Sequence, residues 1–227
     1  MGLDRIVCLA NSYKHDNRCV AGISLVSERW VRLIGRKVPY CLTRNEARFS
    51  DGSEPSLLDV FEVELGADCS SNHHPEDTFI AGTPWRRVGR FCGRSDFEFL
   101  TKMVGTGSLV LQGYCDRIDQ RKIEKTPAQA SLGLVDPEDL WWWIREENGK
   151  RRFRASFRLG QEGRVRYDLP VTDPAWLDQL HLLPTGIHPH ALLSDRKRCK
   201  TFLTASLSEL YEGFHYKLIA GVINLPE

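Results

Sequence analysis

KRRFRASFRLGQEGRVRYDLP, residues 150–170, alternates apolar and charged positions with a period of two. Phe153, Ala155, Phe157 and Leu159 alternate with Arg152, Arg154, Ser156 and Arg158. Beyond Gly163, Val165, Tyr167 and Leu169 alternate with Arg164, Arg166 and Asp168. Successive side chains of a strand point to opposite faces, so each run reads as a strand with one apolar and one basic face. The glycines between the runs make the pair a hairpin. Residues opposed across an antiparallel pair share a face, which here requires residue numbers of even sum. The tightest solution puts Phe157 opposite Val165, with a loop at 160–162 and Gly163 in the left-handed region. The same register pairs Arg154 with Asp168 and Arg158 with Arg164. From 144 to 166, eight basic residues meet three acidic ones, a local balance of +5. Like charges across a ladder repel, so this face either splays into water or meets an anionic partner.

Outward from the hairpin, short strands dominate. Residues 5–10, 18–25, 29–34, 60–65, 108–114, 201–205 and 216–223 all carry strand patterns, with Phe61, Val63 and Leu65 inward and Glu62 and Glu64 outward. Between 66 and 84 the pattern stops in a polar loop, long enough to be functional or mobile. Three short helices are expected. Ser95 and Glu98 match a capping box for a helix ending near Val104. Asp136 followed by Pro137 starts a helix over 137–147, ended by Asn148 and Gly149, and Asp173 followed by Pro174 repeats that start. The fold class is therefore β-rich, all-β with a few short helices. With no linker-like stretch, the chain divides into residues 1–125 and 126–227, the second unit holding the Arg-rich hairpin and a Trp-rich helix.

The 227 residues carry 31 Lys and Arg against 30 Asp and Glu, a formal charge of +1. Attraction of the whole molecule to nucleic acid or anionic lipid is excluded as the main effect, so charge must act locally. Hydrophobic residues at 41% and charged residues at 27% suit a packed core and exclude a disordered chain. The apolar run after Arg5 is too short for a signal-peptide core, and nothing approaches a membrane span. Seven cysteines at 8, 19, 41, 69, 92, 115 and 199 contain no CxxC pair. Reduced thiols in a cytoplasmic protein, with no membrane partner, are expected.

Several residue groups offer binding chemistry. The loop Asn11, Ser12, Tyr13, Lys14, His15, Asp16, Asn17, Arg18 joins two strands and is dense in hydrogen-bonding groups, suited to phosphate, a base edge or a peptide; a plain polar turn reads the same way. Trp30 and Arg32 share a strand face, where an indole can stack on a base and a guanidinium can fork to phosphate, or the two can pack on each other. Of Trp141, Trp142 and Trp143, adjacent on a helix and about 100° apart, at least one must sit at a boundary, a partner surface or a ligand; Trp142 is the ligand candidate. Arg152, Arg154, Arg158, Arg164 and Arg166 form the basic face. His73, His74, Glu76 and Asp77 offer metal ligands or a base with a carboxylate orienter, and His188 and His190 lie two apart on one strand face, with His181 and His215 as candidate neighbours. None has the spacing of a closed metal site. No metal and no cofactor are expected. Without HExxH, GxSxG, a P-loop or GxGxxG, no enzyme class is selected.

The stretches RIVCLANSYKHDNRCVAG (5–22), ERWVRLI (28–34), DGSEPSLLDV (51–60), GKRRFRASF (149–157), YDLPVTDPAW (167–176) and HYKLIAGVI (215–223) together resemble the dual OB-containing domain proteins of prokaryotes. The resemblance implies two small OB-like barrels packed together, a binding role, and an association with conflict and defence gene neighbourhoods. It carries no catalytic motif. The leading expectation is a noncatalytic recognition module for nucleic acid or a nucleotide-like ligand. The alternatives are an enzyme on such substrates using His73, His74 and Asp77, and an adaptor whose tryptophans meet a protein partner from a defence system.

Overall fold

The computed structural model describes residues 2–14, 17–36, 41–82, 84–105, 109–159, 165–193 and 199–226. The expected hairpin loop at 160–163, Arg164, His15 and Asp16 lie outside the described residues, as does the side chain of Lys14.

Six strands come first: β1 (Gly2–Lys14), β2 (Asn17–Ser24), β3 (Trp30–Ile34), β4 (Asp59–Asp68), β5 (Asp77–Ile80) and β6 (Arg86–Arg90). They run β1-β2-β3-β5-β4, and β4 pairs back onto β1 to close a five-stranded OB-like barrel, with β6 appended to β4. The β3–β5 pair is parallel and the other pairs are antiparallel. Alternation fills the interior. Ile6, Cys8, Val20, Val31, Leu33, Phe61 and Val63 point inward around Trp85, whose indole stacks on Phe61 at 4.9 Å. The long loop expected at 66–84 contains β5. After β6, α1 (Arg94–Met103) starts with the Asp96 carboxylate accepting from the Cys92 and Gly93 amides at 2.8 and 2.9 Å. Asp96, not the expected Ser95, is the capping side chain.

The second half does not close. Strands β7 (Arg117–Asp119), β8 (Leu132–Val135), β13 (Cys199–Tyr211) and β14 (Phe214–Pro226) form one sheet, in the order β7-β14-β13-β8. Strands β9 (Glu138–Glu147), β10 (Lys150–Leu159), β11 (Val165–Pro170) and β12 (Gly186–Pro189) form the other, in the order β11-β10-β9-β12. The sheets meet at the Val171–Ile219 bridge and share a core of Leu140, Trp142, Phe157, Leu169, Leu203 and Ile219. This is an open half-barrel, so two closed barrels are replaced by one. Short edge strands and a helix explain it. β12 and β8 have four residues each, and α3 (Pro174–His181), which follows the short α2 (Gln120–Lys125) in the chain, places Trp176 and Leu180 in the same core. As expected, Asp173 caps α3, accepting from the Trp176 amide at 3.3 Å.

The three tryptophans lie in a strand, not in the expected helix. Leu140, Trp142 and Ile144 are buried while Trp141, Trp143 and Arg145 are half-exposed, and β9 pairs with β10 through a turn in which Asn148 (φ 52) and Gly149 (φ 69) are both left-handed. The Arg-rich hairpin keeps its expected faces but slips by two residues. Phe157 opposes Tyr167, and Arg158 opposes Arg166 instead of Arg164. Arg154 still reaches Asp168 at 2.9 Å, diagonally. The expected strand at 108–114 shrinks to a Val110–Gly113 bridge with Val110 and Leu111 buried. None of the seven cysteines forms a disulfide, and no helix among the described residues is long and apolar enough to cross a membrane.

One core position is costly. Lys217 on β14 is fully buried, its Nζ donating to Gly113 O at 2.6 Å, and burial lowers its pKa from 10.5 to about 8. Because the unfolded chain holds that proton up to pH 10.5, stability should rise with pH between about 8 and 10.5 and stay flat at its lower level below 8. Lys217→Met should melt higher than the wild type at pH 7 and lack this rise. Melting curves of both at pH 7 and 9.5 check it, and parallel pH slopes would refute it.

Candidate ligand cleft between the barrel and the C-terminal sheet

The outer face of the barrel is apolar too. Val7, Leu9 and Ile23 pack on Phe202, Ile223 and Leu225 of the β13–β14 ribbon. Thr204 Oγ1 donates to Leu9 O at 2.6 Å across the seam. Both partners then bend: β1 shifts register between Cys8 and Ala10, and β13 between Thr204 and Ala205 and again between Leu207 and Leu210. Bulges kink the strands that carry them. Beyond the kinks the walls part around a cleft of about 560 Å³. Ala10, Ala21, Leu132, Leu218 and Ala220 supply its apolar wall, and Tyr13 and Tyr211, 50% and 63% exposed, also line it.

The polar side comes from the 69–77 loop and β13. Arg32 is 5% exposed and donates to Asp77 Oδ1 at 3.1 Å and Ser206 Oγ at 3.3 Å. Glu76 is a structural tie, since its carboxylate accepts from the Ser131 amide at 2.8 Å and the Ser131 hydroxyl at 2.6 Å. That clamps the loop to the C-terminal half. His74 is buried, and burial pushes its imidazole below the usual histidine value. Its Nε2 lies 2.9 Å from Leu207 O, a pure acceptor, so Nε2 carries the hydrogen. Nδ1 is left facing Asp77 Oδ2 and Glu209 Oε1, each at 3.7 Å. His73 Nε2 lies 3.1 Å from Glu209 Oε2, and its ring stacks on His215 at 4.7 Å. Burial also lowers the pKa of His215, whose Nδ1 lies 2.9 Å from Ser208 O.

Six of the sequence candidates, Ser12, Tyr13, Arg32, His73, His74 and Asp77, line this cleft. Asn11 and Arg18 line a second one of about 600 Å³ beside Glu54, Arg90, Asp173 and Trp176. There Arg18 is ion-paired with Glu54, and its guanidinium lies 3.9 Å from the Tyr13 ring centroid. Trp30 is half-buried against Ala10, Ala21 and their neighbours. Trp142 is a core residue, its Nε1 donating to His190 Nδ1 at 3.2 Å. Arg152, Arg154, Arg158 and Arg166 line neither cleft. Three of them have partners on their own sheet: Arg154 with Asp168, Arg158 with Asp139 at 3.5 Å, and Arg166 with Ser156 Oγ at 3.0 Å. Sequence reasoning missed Glu209 and grouped His215 with His188 and His190 instead of with His73, because both join the cluster through contacts more than 130 residues long.

No curated protein matches the chain. Residues 4–222, nearly its whole length, match the family model described as the dual OB-containing domain. The closed barrel at one end of that span carries the strand order 1-2-3-5-4-1, and the chain belongs to the dual OB-containing domain family.

Proposed function

We propose that the chain is a noncatalytic recognition module for a nucleotide-like ligand, bound in the cleft between the barrel and the C-terminal sheet. One observation carries this reading. OB-type barrels bind on the face of strands 2 and 3, and here Cys19 and Ala21 of β2 and Arg32 and Ile34 of β3 line the cleft while β13 and β14 cover the adjoining barrel surface. What remains open is a pocket within the roughly 300–1,000 Å³ range of small-ligand sites, not a groove along the whole face. A base would stack at Tyr13 and Tyr211, with Ser12, Ser206 and Ser208 supplying hydrogen bonds. The division into residues 1–125 and 126–227, and a role beside a protein partner in a prokaryotic defence system, belong to the same proposal. The basic face of β10 and β11 supports a second reading, nucleic acid held by Arg152, Arg158 and Arg166.

Calorimetric titration with nucleoside monophosphates separates the two. Tyr211→Ala should weaken binding by about 5- to 150-fold, the range of one aromatic–base stack. Arg158→Ala and Arg166→Ala should bind as the wild type does. If instead the Arg variants bind single-stranded nucleic acid more weakly with a shallower salt dependence, the basic face is the site. Nucleotide binding that ignores Tyr211 sinks the cleft.

A further inference from the structure

We propose that His73, His74 and Glu209 form a binding site for one divalent zinc-type cation, with the Asp77 carboxylate beside it. This site opens on the cleft but does not rest on the nucleotide reading.

The donor atoms of the three residues lie within 4.8 Å of one another. Two separations are shorter: 3.1 Å from His73 Nε2 to Glu209 Oε2, and 3.7 Å from His74 Nδ1 to Glu209 Oε1. Ligands about 2.0–2.1 Å from a tetrahedral ion sit roughly 3.4 Å apart, so the cluster needs small rotations of side chains and no movement of backbone. Asp77 Oδ2, 3.7 Å from His74 Nδ1, is placed as a further oxygen donor.

The orientation of His74 is the stronger argument. Its Nε2–H donates to Leu207 O at 2.9 Å, which fixes the tautomer and turns the Nδ1 lone pair toward Glu209 and Asp77. A backbone carbonyl holding the far nitrogen of an imidazole is the usual support of a metal-ligating histidine. The loop is held as well: the His74 amide donates to Ser71 Oγ at 3.0 Å, Ser71 N to His74 O at 3.1 Å, and Glu76 ties the loop to Ser131. Two imidazoles and a carboxylate favour zinc over magnesium or calcium, which prefer all-oxygen sites. Three protein ligands leave a fourth position for water or a ligand anion in the cleft.

The test uses the full untagged chain, stripped with a chelator and titrated with Zn²⁺ by calorimetry and with Co²⁺ by visible absorption. One equivalent should bind with a Kd of about 10 µM or tighter, with a cobalt spectrum of a four- or five-coordinate ion. Glu209→Gln changes an exposed side chain and His73→Gln a half-exposed one, so both should fold as the wild type does. Each should weaken the metal by at least about 10-fold, whereas His188→Gln, elsewhere in the fold, should not. Weaker wild-type binding, or an affinity unchanged in both variants, overturns the proposal. Nucleotide titration of the stripped protein is read separately, so failure here leaves the cleft reading standing.

Discussion

Trp142→Ala is expected to cost about 3–5 kcal/mol of stability, while Trp141→Ala and Trp143→Ala should each cost about 1 kcal/mol or less. Trp142 is fully buried, its ring packed 5.1 Å from Trp176 and 5.6 Å from His190, and its indole nitrogen donates to His190. Truncation leaves a large cavity and strips His190 Nδ1 of that donor. Its neighbours point the other way. Trp141 Nε1 donates to Asp139 at 2.7 Å, and the Arg145 guanidinium covers Trp143. A loss of 3–5 kcal/mol is a large part of the total stability of a typical domain. Urea unfolding of the three variants reads the contrast directly. Equal losses at all three positions would contradict a strand with one buried face.

Gly22 and Gly221 sit where a neighbouring backbone leaves no room for a Cβ. A Cβ on Gly22 would lie 1.9 Å from Val7 O, and one on Gly221 2.3 Å from Leu9 O. Both obstacles are backbone, so no rotamer change relieves them. Gly22→Ala forces β2 away from β1 inside the barrel. Gly221→Ala forces β14 away from the barrel at the seam beside the Thr204 hydrogen bond. Each should cost about 3 kcal/mol or more, at the upper end for overpacking. Gly89→Ala is the matched control, because its Cβ meets nothing nearer than 3.9 Å. Thermal melts should show two large shifts and one small one. A control shift as large as the other two would mean that strand glycine as such, and not close approach, sets the cost.

The hairpin at 150–170 was readable because a period-two pattern decides which face is buried whatever the register. It could not fix the register itself: sums of 322 and 324 have the same parity, and the apolar faces match in both. The tryptophan strand reads locally as a helix for a different reason. Asp136 and Pro137 are strong local start signals for a helix, but Leu140, Trp142 and Ile144 alternate with Trp141, Trp143 and Arg145, and Asn148-Gly149 is the strongest short hairpin signal a sequence offers. Burial of a whole strand face outweighs one capping bond of about 1 kcal/mol. Of the cleft, the residues on local elements were visible: Ser12 at the end of β1, Arg32 on β3, and His73, His74 and Asp77 on one loop. Glu209 was not, since nothing in SLSELYEG marks one carboxylate as the partner of a histidine 136 residues away.

The seam between the barrel and the β13–β14 ribbon also sets a timetable for synthesis. The barrel strands are complete by Arg90, yet the outer apolar patch of Val7, Leu9 and Ile23 is covered by residues from Phe202 onward. At roughly 5–20 residues per second, a growing chain leaves that patch only partly covered, by residues such as Leu100 and Leu134, for about 6–22 s. During that interval the finished barrel offers an adhesive surface to its own unfinished remainder and to neighbouring nascent chains. The β13–β14 ribbon, made more than 100 residues after the barrel, is therefore what makes the barrel safe.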